Sequence, residues 1–274
     1  ALVISSGLFG FISSSVLLVV GLVSQESFFL PTKTISLLIF SGVLELIWII
    51  FYLKAFDVES EKNDASAVAP WFQFVGFFTY VFGWLLLGES LSGNQLIGLG
   101  LTLIGGSIIS LNFGEKITVR WRAVKNMLWA ASIIALGSVL FKFAAINEPS
   151  FVVSAFWLNI GLGITALFFY NLKKSYRDQF RNTIKNTSKI KNIFTLYLVN
   201  EVLNTIGVLF VSFASLLTEV SKVYAIGAFQ SVFVFLIGLS IALRDKEGIP
   251  NKRTLLQNLI VLTLMIIGAF LIEK

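Results

Sequence analysis

Apolar residues run along this chain in long, unbroken segments that are separated by short polar ones. Each apolar segment has about the 20 residues that a helix, rising 1.5 Å per residue, needs to cross a hydrocarbon core of about 30 Å. Apolar and polar residues do not alternate within them, which favours helices over the strands of a membrane barrel. The pattern therefore predicts an all-α, polytopic bundle of nine membrane-spanning helices. These are Leu2–Val23, Thr34–Phe56, Ala65–Leu87, Asn94–Phe113, Asn126–Ile146, Phe151–Leu172, Asn192–Leu216, Lys222–Leu243 and Thr254–Ile272.

The fourth predicted helix carries small residues at every fourth position. Gly98, Thr102, Gly106 and Ser110 therefore lie on one helix face. Small side chains allow two helix backbones to approach closely within a membrane. We expect this face to pack against another helix.

Composition supports a membrane protein and excludes several kinds of chemistry. Hydrophobic residues make up 56% of the chain and charged residues 13%, whereas soluble domains carry about 25% charged residues. The chain contains no Cys and no His, which removes disulfides, thiolate nucleophiles, His-based acid–base catalysis and the usual zinc ligands. Glycine-rich phosphate-binding motifs are also absent. We therefore expect no enzymatic activity, no cofactor and no metal.

The net charge of +6 comes from polar segments between the predicted spans, where basic residues report orientation rather than nucleic-acid binding. Lys173–Lys191 is the longest of these segments and is predicted to be a solvated loop, with contact to anionic lipids as the alternative. Most basic segments fall on one side of the membrane if the nine spans alternate in direction. We expect that side to be cytoplasmic and the C-terminus to lie outside.

Similar features recur in the two halves of the chain. Glu45 is followed after 28 residues by Gln73, within Trp71-Phe72-Gln73, and Glu201 is followed after 29 residues by Gln230, within Ala228-Phe229-Gln230. Each half then closes with a glutamate-containing segment and a glycine-containing helix. The order and spacing predict two internal repeats, as is common in secondary transporters. Their bounds are Ala1–Phe113 and Gly114–Lys274.

The segment Ala65–Phe113 carries a more specific signature. It has Pro70 near its start, Gly88-Glu89 between its two helices, and then a helix that starts with Gln95-Leu-Ile-Gly98 and contains a Gly-Gly pair. This pattern resembles the end of an EamA domain, the repeat unit of the drug/metabolite transporter superfamily, in a form similar to a prokaryotic branch of that family. The resemblance covers nearly the whole chain.

The resemblance implies ten helices, arranged as two inverted five-helix EamA repeats in a prokaryotic plasma membrane. The first half has four predicted helices and the second has five. We therefore expect a tenth helix before Ala1. The resemblance further implies transport of a small metabolite or drug-like solute by alternating access.

Carboxylates inside predicted spans are the clearest functional signal. Glu45 lies about 12 residues into its span, with Trp48 and Tyr52 on the same helix face. Glu201 is its counterpart in the second half, with Asn204 one helical turn later. An ionised carboxylate in a membrane is costly unless it faces a water-filled cavity or a partner. These residues are candidates for a cavity that binds a cationic or hydroxylated substrate, and the two glutamates are candidates for proton coupling. The alternative is a protonated or paired glutamate that holds helices together.

Gln73 and Gln230 complete the candidate set, because each amide offers two donors and one acceptor. They could line the substrate site or form hydrogen bonds across helices. The sequence thus predicts a secondary transporter that is proton-coupled, an exchanger or a facilitator. Alternative functions are a flippase for a lipid-linked intermediate and a non-transporting membrane assembly subunit. Expected partners are a small-molecule substrate and the lipid bilayer, without nucleic acid, and a homodimer is compatible with this interpretation.

Overall fold

A computed structural model describes residues 2–60, 69–110, 121–187, 191–245 and 252–273. Within these ranges the backbone forms eleven α-helices and one 3-10 helix, and it contains no strand. The 3-10 helix, Ala69–Phe74, leads directly into α3. The α-helices are α1 Leu2–Val23, α2 Thr32–Ser60, α3 Val75–Leu87, α4 Gly93–Ser110, α5 Trp121–Ala145, α6 Phe151–Leu172, α7 Lys174–Thr187, α8 Lys191–Leu217, α9 Val220–Gly227, α10 Gln230–Asp245 and α11 Lys252–Glu273.

Eight helical stretches among the described residues are long and apolar enough to cross a membrane. The chain is therefore an all-α, multi-pass membrane protein, as its hydrophobic pattern predicts. The fourth predicted span, Asn94–Phe113, corresponds to α4, which is helical but is not among the eight, and its residues 111–113 lie outside the described residues. The eight are Val3–Val23, Thr32–Phe56, Pro70–Leu87, Trp121–Ala145, Phe151–Leu172, Leu198–Leu217, Val220–Ile237 and Leu255–Glu273.

Two predictions of local structure are wrong. The segment Lys173–Lys191 was predicted to be a loop, but most of it forms α7, because aromatic side chains of α7 pack against the end of α6. The span Lys222–Leu243 was predicted to be one helix, but it is interrupted between α9 and α10. At the interruption the N–H groups of Phe229 and Ser231 each bond a carbonyl three residues back rather than four, so the helix tightens locally.

The residues form two compact units. The first consists of Ala1–Ile50 and Leu136–Leu217. Its main contact joins α1 and α6, and glycines allow the close approach. A Cβ atom added at Gly7 would collide with the Cβ of Ala166, and one at Gly10 would lie 2.7 Å from the carbonyl oxygen of Asn159. The core beside this contact consists of Leu38, Phe141, Ala144, Ala145 and Leu158.

The second unit consists of Phe51–Ala135 and Thr218–Lys274. Its main contact joins α4 and α11. A Cβ atom at Gly268 would lie 2.8 Å from the carbonyl oxygen of Gly98 and 3.0 Å from Cγ2 of Thr102. The small face predicted on α4 is thus confirmed as a helix-packing surface.

Each unit combines residues from both halves of the chain. Internal repeats concern the order of elements along the chain, whereas these units concern which elements lie close together in space. The two inverted repeats, Ala1–Phe113 and Gly114–Lys274, therefore stay a prediction.

Candidate functional site

A small polar cavity lies inside the first unit, among α1, α2, α6 and α8. It offers about 50 Å³ to the centres of water molecules. One water needs about 10–15 Å³ on this measure, so the cavity holds a few waters or a small ion. Its polar lining residues are Ser6, Glu45, Asn159, Glu201, Asn204 and Thr205. The structure therefore brings together the two intramembrane glutamates that the sequence singles out.

Glu201 is the deeper carboxylate, with only 2% of its surface exposed. Its Oε1 accepts a hydrogen bond of 2.9 Å from the hydroxyl of Ser6 on α1. A hydroxyl donor stabilises a carboxylate acceptor, and it does so most strongly when the carboxylate is ionised. Ser6 therefore gives the buried carboxylate one of the polar contacts that its burial demands.

Glu45 lies in the middle of α2 and is half-buried. Its Oε2 accepts a hydrogen bond of 2.9 Å from Nε1 of Trp48, three residues later on the same helix face. The sequence predicts that these two residues share a face, and this contact confirms it. The indole holds one oxygen of the carboxylate at the cavity wall.

Asn159 contributes an amide from α6. Its Oδ1 accepts a hydrogen bond of 2.6 Å from Ser13 on α1, and its Nδ2 donates one of 2.8 Å to the carbonyl oxygen of Ala155. These two contacts hold the amide in one orientation. Because Asn159 is buried, it forms a rigid part of the cavity lining.

Sequence reasoning missed Ser6 and Asn159 as functional candidates. Ser6 was one of several small residues in the first span. Asn159 has a signal that could have found it: it is an amide residue in the interior of an otherwise apolar span. Polar residues at such positions generally face the protein interior or a cavity.

Three of the remaining sequence candidates, Tyr52, Gln73 and Gln230, lie apart from this cavity. Asn204 lines it, but Tyr52 does not. Tyr52 instead belongs to an aromatic cluster of the second unit, where its ring centroid lies 4.9 Å from that of Phe56 and 5.3 Å from that of Phe72. Gln230 is also in the second unit and is exposed.

Gln73 forms a hydrogen bond across helices, which is one of the two roles considered for it. Its Nε2 lies 2.8 Å from the hydroxyl oxygen of Ser231 on α10. Beside this contact, a Cβ atom at Gly106 would lie 3.2 Å from the carbonyl oxygen of Ala228 and 3.3 Å from the amide carbon of Gln73. The small face of α4 thus accommodates both chain segments.

The two Phe-Gln motifs share an unusual backbone setting. Phe72 and Gln73 lie in the 3-10 helix, while Phe229 and Gln230 lie where α9 gives way to α10. Membrane helices that lose their regular α-helical hydrogen bonds often mark functional positions in transporters. These motifs define a second location of interest, within the second unit.

A glutamate outside the spans has a different environment. Partial burial by itself raises the pKa of Glu219, but hydrogen bonds from Lys222, its own backbone and Thr218, together with the charge of Lys222, lower it below its ordinary value of 4.5. Nζ of Lys222 lies 2.8 Å from Oε2 of Glu219. This ion pair stands at the start of α9.

The residues of the cavity define what it can do chemically. Carboxylate, amide and hydroxyl oxygens can coordinate a cation, accept hydrogen bonds from a hydroxylated solute, or exchange protons with water. Across the described ranges, no cluster of three or more His, Cys, Asp or Glu residues could hold a metal ion. The arrangement therefore offers binding and proton exchange through its own side chains.

Comparison with known proteins supports the fold. No family model and no curated protein matches the chain. Solved structures do match, among them one described only as "Crystal structure of protein", with a TM-score of 0.68 and 15% identity over 98% of this chain and 85% of that chain. At this identity the likeness shows a shared fold alone. The fold and the apolar helices define the class of the protein: a polytopic, all-α protein of the lipid bilayer.

Proposed function

We propose that this chain is a secondary transporter that moves a small metabolite or drug-like solute across the membrane by alternating access. Glu45 and Glu201 couple transport to a proton or to the exchange of a second solute. The observation that carries this proposal is that both intramembrane carboxylates line one polar cavity. The EamA resemblance agrees with it, because that family consists of such transporters.

The cost of burying charge supports a functional role for the cavity. A carboxylate at membrane depth is costly unless water, a partner or a bound cation stabilises it. Two glutamates on α2 and α8 bear this cost at the same place, beside Asn159 and Asn204. A packing role alone would need fewer polar groups than this cavity contains.

The size of the cavity supports assigning it to one step of the proposed transport cycle. Its 50 Å³ is well below the roughly 300–1,000 Å³ of pockets that hold drug-sized ligands. A proton or a few waters fit, whereas a metabolite requires that the helices move apart. We therefore assign the two glutamates to coupling in the closed state, and assign solute entry to a more open state.

The same proposal covers the repeat architecture of the chain and its orientation in the membrane. The chain comprises two inverted EamA repeats that rock against each other in a prokaryotic plasma membrane, with the basic segments in the cytoplasm. Chemical modification of single cysteines tests the orientation, since the native chain contains no Cys. Cysteines placed at Lys173 and Lys33 are expected to react from opposite sides of the membrane.

Transport in proteoliposomes tests the function. A panel of amino acids, sugar derivatives and quaternary amines is applied with and without a pH gradient, and uptake and charge movement are recorded. We expect uptake of one compound class in the native protein, and its loss in Glu45→Gln and Glu201→Gln. Glu26→Gln, which alters a carboxylate between α1 and α2, serves as the matched control and should retain transport.

The outcomes separate the alternatives. Transport that persists unchanged in both glutamine variants would overturn the coupling role. Movement of lipid-linked compounds in place of soluble ones would make the protein a flippase. Absence of any uptake, together with a constant co-purifying protein, would favour an assembly subunit.

A further inference from the structure

The basic helix α7 lies outside the candidate cavity and has no role in the proposed coupling. Only Lys173 separates it from α6, and the backbone of Lys173 is extended, with φ −110° and ψ 100°. Because α6 crosses the membrane and ends at Leu172, α7 begins where the chain leaves the hydrocarbon core. Its location is therefore the boundary between lipid and water.

Aromatic contacts hold α7 close to the end of α6. The ring centroids of Tyr170 and Phe180 lie 6.1 Å apart, and those of Phe169 and Tyr176 also lie 6.1 Å apart. Ten residues along a straight helix would separate Tyr170 from Phe180 by about 15 Å. The chain thus turns at Lys173, and α7 packs its aromatic side against the end of α6 instead of extending the span.

A further bond fixes this arrangement. Nε of Arg181 donates a hydrogen bond of 3.2 Å to the hydroxyl of Tyr170, and Nζ of Lys173 lies 5.5 Å from the centroid of the Tyr176 ring. Tyrosines typically lie at the level of the lipid head groups. Both cations are therefore held at that level by their tyrosine contacts.

One stripe of α7, beside the residues that make the aromatic contacts, is cationic. Lys174, Arg177 and Arg181 are spaced three and four residues apart, so they follow one stripe of the helix, and Lys174 and Arg181 are exposed. The sequence of α7 has four basic residues and one acidic residue, Asp178, which is partly buried. The stripe therefore presents net positive charge at the membrane boundary.

We propose that the basic stripe of α7 binds the anionic head groups of phospholipids in the surrounding membrane. Charge complementarity carries the assignment, since basic amphipathic helices at a membrane surface are attracted to anionic lipids. A soluble anion meets the same charges, but head groups are held beside α7 by the bilayer and so have a far higher local concentration. The bound lipid anchors the end of α6.

Thermal unfolding of the purified full chain in non-ionic detergent tests this site. Phosphatidylglycerol or phosphatidylcholine is titrated in, and the unfolding midpoint is followed against lipid concentration. We expect phosphatidylglycerol to raise the midpoint in a saturable way that weakens in high salt, and phosphatidylcholine to have little effect. Each basic residue near an anionic surface contributes roughly a fivefold change in affinity. Lys174→Gln/Arg177→Gln should therefore raise the half-saturating concentration about 25-fold.

Two further variants separate charge from structure. Lys174→Arg/Arg177→Lys keeps both charges and should retain the native lipid response. Arg122→Gln/Lys125→Gln removes two charges near the start of α5, outside α7, and should change the half-saturating concentration less than the α7 glutamine pair does. An equal response to both lipids would overturn the proposal. So would an unchanged response in the glutamine pair, or equal stabilisation by soluble glycerophosphate at the same concentration.

Discussion

The contact between Ser6 and Glu201 offers a direct test of whether the buried carboxylate changes its charge. The hydroxyl donates at 2.9 Å to a residue that is 2% exposed. Ser6→Ala removes this donor while deleting only one oxygen atom. Because Glu201 also makes other contacts, the variant weakens its environment without emptying it.

The expected magnitude depends on the charge of Glu201. Interhelical hydrogen bonds in membranes contribute on average about 0.6 kcal/mol, whereas hydrogen bonds to charged groups contribute about 1.5–3 kcal/mol. A double-mutant cycle with Ser6→Ala and Glu201→Gln isolates the coupling energy, because the glutamine retains an acceptor that cannot ionise. If Glu201 takes up the proton that the proposed function assigns to it, the coupling energy should be near zero where the carboxyl is neutral and resembles the amide, and about 1 kcal/mol or more where it is ionised.

Thermal unfolding of the four proteins in detergent, measured between pH 5 and pH 9, provides the assay. Ser15→Ala is the matched control, because Ser15 is on the same helix but is exposed and bonds only the carbonyl oxygen of Phe11. A coupling energy that is the same at both ends of the pH range would refute a change in charge at Glu201. It would also remove Glu201 from the proposed coupling step while leaving its structural role intact.

Two further predictions concern the second unit. Gly268→Ala should destabilise the protein by about 1–3 kcal/mol, because its Cβ would press on the backbone of α4. Gly100→Ala is the control: no atom lies within 4 Å of its Cβ position, so this variant should be neutral or stabilising. Equal effects of the two variants on thermal unfolding would contradict close packing of α4 and α11. Because the pKa of Glu219 is lowered in the folded protein, its ion pair with Lys222 stabilises the folded state at pH values above the ordinary pKa of 4.5. This contribution to stability is lost as the pH falls below 4.5 and through the lowered pKa. Glu219→Gln should remove a part of the acid sensitivity worth less than about 1 kcal/mol, since the pair is partly exposed; an unaltered pH profile of unfolding between pH 7 and pH 3 would show that the pair contributes nothing.

The membrane spans could be read from the sequence because hydropathy is a property of consecutive residues. Leu2–Val23 and Phe151–Leu172 were predicted as spans, and α1 and α6 have these same bounds. The predicted and observed secondary structures differ where the structure depends on contacts between helices. The helix α7 is too polar to be recognised as a span, and the aromatic contacts that hold it come from α6. The break near Phe229 is invisible to hydropathy, since it changes the hydrogen-bond pattern and not the polarity of the segment.

The candidate site likewise combines residues that the sequence predicts with contacts that only the packing of the helices determines. Glu45 and Glu201 stand out in the sequence alone, because a carboxylate inside an apolar span is costly wherever that span packs. Their common cavity, and the roles of Ser6 and Asn159 in it, follow from the packing of α1, α2, α6 and α8.

The sequence by itself determined that this is a helical, multi-pass membrane protein with two acidic groups at membrane depth. Only the tertiary structure decided which side chains meet those groups. Ser6 and Glu201 are 195 residues apart in the chain, and glycines on α1 permit the approach to α6 that forms one wall of the cavity. The cost of burying a charge is set by the residue and its span, whereas the partner that offsets the cost is set by which helices come into contact.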